Sequence, residues 1–75
     1  MLIDSYHKYV TRQSKLRVRI YATDGGDNYP VHGAIYSEVK GVWEPQTWTE
    51  DGYTFEGFDD HPTDLVLAHN EDNND

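Results

Sequence analysis

Lys15-Leu16-Arg17-Val18-Arg19-Ile20-Tyr21-Ala22 alternates without a break: Leu16, Val18, Ile20 and Ala22 fall on one side, Arg17, Arg19 and Tyr21 on the other. Successive Cβ atoms of an extended chain point to opposite faces, so this period of two predicts a strand with one face buried. The same pattern returns downstream. Val31, Gly33, Ile35, Ser37 and Val39 oppose His32, Ala34, Tyr36 and Glu38, with Pro30 fixing the entry and Gly33 marking a bulge or a close backbone approach. Between the two, Thr23 to Tyr29 (T-D-G-G-D-N-Y) collects residues that tolerate positive φ and reads as a connection. Lys40-Gly41 forms the next turn. Val42 to Thr49 is a third strand whose Pro45 lacks an N–H, which confines it to an edge or breaks it in two.

Glu50-Asp51-Gly52 is a hairpin signal, and Tyr53 to Phe55 is expected to return from it as a strand. Gly57 to Thr63 is a loop containing Pro62, and Leu65-Val66-Leu67 is a last short strand. Upstream, Tyr9-Val10-Thr11 favours a strand, joined to the first clear one by a turn at Arg12 to Ser14. The alternative is a short N-terminal helix, since Leu2, Ile3, Tyr6, Tyr9 and Val10 also sit at helical spacing. The predicted fold is mainly β: a small five- or six-stranded antiparallel sheet curled into a compact barrel.

Composition sets the scale of that barrel. Seventy-five residues, 36% hydrophobic and 27% charged, allow one small core, assigned to residues 1–69 as a single β domain. Residues 70–75 are expected to be a disordered acidic tail. Aromatic residues make up 13% of the chain, so large rings replace aliphatic bulk in the core. There is no cysteine to cross-link so short a chain, and no stretch approaches the roughly 20 apolar residues of a membrane span. A cytoplasmic, membrane-free protein is the expectation, with self-association as one way to supplement the core.

The net charge of −8 is unevenly distributed. Residues 1–22 carry Lys8, Arg12, Lys15, Arg17 and Arg19 against Asp4 alone, whereas residues 23–75 carry Lys40 against thirteen acids. No pattern of reactive groups stands out. The four histidines form no close pair, and Asp59, Asp60, His61 and Asp64 read better as a turn-forming loop than as a metal site. Asp24, Asp27 and Asn28 lack the spacing of a calcium loop, Gly25-Gly26 that of a phosphate loop, and Ser5, Ser14 and Ser37 the elbow of a hydrolase nucleophile. No enzyme activity, cofactor or metal is expected.

Binding is the remaining class. Trp43, Trp48, Tyr53, Phe55 and Phe58 lie among carboxylates, and a barrel this small cannot bury every ring. The expected protein-binding surface comprises Trp43, Glu44, Trp48, Glu50, Asp51, Phe58, Asp59 and Asp60: rings as anchors, acids to steer a basic partner. An alternative surface is the basic strand, with Arg12, Arg17 and Arg19 beside Tyr21 placed to bind single-stranded nucleic acid. Against it stands pairing of those arginines with acids on neighbouring strands.

The order of short motifs adds one further expectation. Val10-Thr11-Arg12, Leu16-Arg17-Val18-Arg19-Ile20, Thr23-Asp24, Tyr29-Pro30-Val31, Trp48-Thr49-Glu50-Asp51-Gly52-Tyr53 and Asp64-Leu65-Val66 resemble small uncharacterised proteins encoded by bacteriophages and prophages, over roughly residues 9–67. Members of that group carry a Gly at the turn after the Thr-Arg pair, where this chain has Gln13-Ser14. The resemblance implies a phage origin and a compact β fold, and no functional residues. With the charge pattern it leads to a phage-type accessory protein in a bacterial cytoplasm. Such a protein would bind and inhibit or modulate a host nucleic-acid-processing or defence protein through a basic surface, its carboxylates imitating phosphates. Direct nucleic-acid binding and a structural, self-assembling phage component are the alternatives.

Overall fold

The computed structural model describes residues 2–58 and 60–68; Asp59 and the expected tail at 70–75 lie outside the described residues. Five strands follow in order: β1 (Tyr9–Thr11), β2 (Val18–Ala22), β3 (Val31–Ser37), β4 (Val42–Trp48) and β5 (Leu65–Leu67). They make two antiparallel sheets, β1-β5 and β2-β3-β4. Among the described residues there is no helix, and so none long and apolar enough to cross a membrane.

The N-terminal segment is fixed otherwise. The Ile3 N–H donates to the Glu50 carbonyl (2.9 Å), burying the Ile3 side chain, and the Asp4 carboxylate accepts from the Tyr6 and His7 amides (3.0 and 2.9 Å). A carboxylate that takes up backbone donors in this way holds an Asx turn in place of a helical one.

The first hairpin forms despite its unusual turn. The Thr11 N–H donates to the Leu16 carbonyl (3.0 Å) and Val10 bridges to Arg17. The turn runs one residue further than expected, with Ser14 and Lys15 both at positive φ (71° and 50°). The buried Thr11 hydroxyl supports it from inside, donating to the Gln13 carbonyl (2.7 Å) and accepting from the Leu16 amide (2.9 Å).

In the second sheet, β3 pairs with β4 from Val31↔Trp48 to Ser37↔Val42 without interruption, so Pro45 does not break the strand. Pro45 faces Ala34, and having no N–H it can occupy only a pair whose donor points away from β3. Its missing donor therefore lies on the open edge of β4. Gly33 is a close-approach point: a Cβ there would strike the Arg19 carbonyl across the ladder. The register slip is opposite it, in β2, between Ile20 and Ala22.

The core lies between the sheets. Ile3, Tyr9, Val31, Ile35, Trp48 and Leu65 are buried together, with Leu16, Val18 and Ile20 packed against them from the apolar side of the basic strand. Trp48 is wholly enclosed (0% exposed) and its indole N–H donates to the Thr63 carbonyl (2.9 Å).

Two expectations need correction. The sheets do not close into a barrel: they meet at the Val10↔Arg17 bridge, and the edge of β4 carries no ladder because Pro45 interrupts its donors. Nor is there a returning strand at Tyr53 to Phe55. A tight turn does form at Thr49 to Gly52, where the Gly52 N–H donates to the Thr49 carbonyl (2.9 Å) and Gly52 adopts a φ of 92°. The chain is then drawn towards β5 and away from β4. The Asp64 carboxylate accepts from the Thr54 amide (2.7 Å), and the Leu65 N–H donates to the Gly52 carbonyl (2.9 Å).

Candidate functional site

The acid-rich surface expected at residues 43–60 is not one patch. Trp48 cannot serve as an anchor, because its ring is the centre of the core. Trp43 is half-buried on the outer face of the second sheet, beneath two arginines. Glu44 pairs with Lys40 (3.0 Å) and Asp60 with Arg12 (3.0 Å), both on the exposed surface. Glu50 is exposed and Asp51 is partly covered. Phe58 stays open to solvent (50% exposed) beside Phe55 (52%), to which it is bridged. Asp59 lies outside the described residues.

The outer face of β2-β3-β4 is more coherent. Alternation puts Arg19 of β2 there with Arg17 just before the strand, Tyr36 of β3, and Trp43 of β4 opposite Tyr36. The guanidinium carbon of Arg19 sits 4.0 Å from the centre of the Trp43 ring, and that of Arg17 sits 4.6 Å from the centre of Tyr36 and 5.9 Å from Trp43. The two rings meet edge to face at 5.2 Å. A guanidinium within about 6 Å of a ring face gains from the ring quadrupole while keeping its N–H donors for other partners.

The remaining outward positions, His32, Ala34, Pro45 and Thr47, bring no carboxylate. In a chain with fourteen Asp and Glu, none of the outward strand positions of this face carries an acid among the described residues. Among the described residues, Arg17 and Arg19 lie over rings in place of the expected pairing with acids of neighbouring strands, and Arg12, on the first turn, pairs with Asp60.

Tyr36 was read in the sequence as a strand position and given no part in a site, yet a turn at Lys40-Gly41 implies its place. A loop of residues 38–41, closed by the Gly41 N–H to the Ser37 carbonyl (2.7 Å), sets Tyr36 opposite Trp43. His61 was grouped with acids as a weak metal candidate. Its ring instead stands edge-on to Phe55 (5.1 Å), and its Nδ1 accepts from the Thr63 amide (3.1 Å). Asp64 turns the loop, its other oxygen accepting from the His61 amide (3.2 Å).

One carboxylate departs from its ordinary acidity. The Asp4 carboxyl is lowered from 3.8 to about 2, chiefly by the hydrogen bond from the His7 amide, with the His7 ring and the Tyr6 amide adding to it. Burial pushes the Tyr9 hydroxyl up. Both belong to the N-terminal turn and stand apart from the arginine face.

No family model, curated protein or solved structure matches the chain.

Proposed function

We propose that this chain is a small binding module that takes a single-stranded nucleic acid across the outer face of β2-β3-β4. Arg17 and Arg19 meet phosphates through their N–H groups, while the outer faces of their guanidiniums, backed by Tyr36 and Trp43, offer surfaces for bases. The observation that carries this reading is that, among the described residues, no outward strand position of that face carries a carboxylate in a chain of net charge −8. Random placement of fourteen acids among 75 residues has an expectation of one or two at the outward positions of the three strands. Their exclusion keeps an anion from being repelled at contact range, and beyond a Debye length of about 8 Å the acids elsewhere are screened.

Fluorescence anisotropy with a labelled oligothymidylate at about 0.15 M ionic strength, where the acids elsewhere are screened, is the direct test. Binding should fall in the range of about 10⁻⁶–10⁻⁴ M. Replacing Arg17 and Arg19 together by Ala should abolish it, while Arg12→Ala, which removes only an exposed ion pair, should leave it. No binding by the unaltered chain would refute the assignment.

A second reading is supported by Phe55 and Phe58, two rings left half-exposed among Glu50, Glu56 and Asp60. On that reading the chain is a phage-type accessory protein of the bacterial cytoplasm, docking this edge on a basic host protein. Affinity capture from host lysate discriminates the two. A partner retained by Arg17→Ala/Arg19→Ala and lost by Phe55→Ser/Phe58→Ser would favour the second.

A further inference from the structure

At the open edge of β4 a cavity of about 360 Å³ is lined by Gln46, Thr47, Thr54, Phe55, His61 and Thr63. Its volume is at the lower end of ordinary ligand sites, suited to one flat ring. The hydrogen bonds around it leave a defined remainder. A backbone N–H always donates, so the bond from the Thr63 amide makes His61 Nδ1 an acceptor and leaves the ring proton on Nε2. The Gln46 amide nitrogen donates to the Thr63 hydroxyl (3.3 Å), which also meets the Thr54 hydroxyl (2.7 Å). Gln46 Oε1 is left as an acceptor and His61 Nε2–H as a donor. Phe55 stands at 76° to the imidazole, a wall roughly perpendicular to that donor's ring.

A flat heterocycle lying along Phe55 and carrying a donor beside an acceptor on one edge satisfies both groups. The Watson–Crick edge of every unpaired nucleobase carries such a pair, so discrimination comes from the space, whose fit to a single ring favours a pyrimidine over a purine. The pocket is also within reach of a strand on the arginine face. Thr47, in its lining, points to the same side of β4 as Trp43, four residues away, or about 13 Å at the rise of an extended chain.

From the juxtaposition of Gln46, His61 and Phe55 at the end of the arginine-bearing sheet face, we infer that this pocket receives one unpaired base of the bound strand and gives the interaction a base preference. The inference rests on the strand-binding reading above and adds the element of selectivity that stacking and phosphate contacts lack.

The test compares oligothymidylate, oligocytidylate and oligoadenylate by anisotropy, and follows the Phe55 and His61 resonances by NMR on adding each nucleoside monophosphate. The expected result is a spread in affinity of about tenfold among the three homopolymers. Gln46→Ala and Phe55→Ala should each collapse that spread while strand binding persists, and the nucleotide that perturbs Phe55 and His61 most should match the preferred homopolymer. The Phe55 ring is exposed, so its removal should leave far-UV circular dichroism unchanged. Equal affinity for all three homopolymers, or a spread that survives both substitutions, overturns the pocket assignment and leaves the sheet-face reading standing. Failure of every strand to bind overturns the sheet-face reading. If the monophosphates then also leave Phe55 and His61 unmoved, the pocket falls with it.

Discussion

Asp4 and Trp48 show how much a single side chain decides in a domain of this size. Asp4 gathers two backbone amides and the His7 ring, and its carboxyl titrates at about 2 instead of 3.8. A folded-state value below the unfolded one stabilises the turn fully above the unfolded value, and that contribution is lost as pH falls through the folded one. The window is therefore about pH 4 down to about 2. A carboxylate titration followed by NMR should give a midpoint near 2, with the Tyr6 and His7 amide shifts moving in step; a midpoint near 3.8 would contradict the turn. Trp48 fills the core and satisfies its own indole N–H. Removing so large a buried ring costs about 3–5 kcal/mol, about half of a total that at roughly 0.1 kcal/mol per residue comes to about 7–8 kcal/mol. Trp48→Ala should therefore unfold in far less denaturant than the parent, or fail to show a cooperative transition at all.

Two elements carry conformations their sequences make costly. The first hairpin places Ser14 and Lys15 in the left-handed region, where an L side chain costs about 1–2 kcal/mol. Ser14→Gly removes that strain and loses part of the gain to unfolded-chain entropy, so denaturation midpoints should report a stabilisation of up to about 1 kcal/mol. A destabilised variant would mean that the Ser14 side chain contributes something the strain conceals. In β4 the proline leaves the open edge one donor short. Pro45→Thr restores an N–H pointing outward on a seven-residue strand, and sedimentation at increasing concentration should show larger species than the parent forms. Unchanged sedimentation would mean that the edge is protected by other means.

The whole molecule separates charge by face as well as by sequence. With two arginines meeting phosphates, the logarithm of single-strand affinity should fall with the logarithm of salt at a slope of about −1.4, and of about −0.7 after Arg17→Ala. A flat salt response would exclude phosphate contact. Much of the architecture was legible in advance because it depends on local geometry. The alternation of Leu16 to Ile20 marked which face of β2 packs on the core, although the slip before Ala22 was not foreseen; Gly33 marked a close approach, and Pro45 marked an edge. What escaped depended on partners distant in the chain. The returning strand at Tyr53 to Phe55 was lost because Asp64 captures the Thr54 amide, and barrel closure was lost with it. Trp43 and Trp48, both flagged as anchors, are separated because an odd spacing on one strand sends one ring outward and the other into the core. By itself the sequence determined the strands, their amphipathic faces and the division of charge along the chain, since these follow from a period of two and from composition. Only the tertiary structure decided that Arg17 and Arg19 stack on Tyr36 and Trp43 across one sheet face, because cross-strand register, which no single strand encodes, chooses each side chain's neighbours.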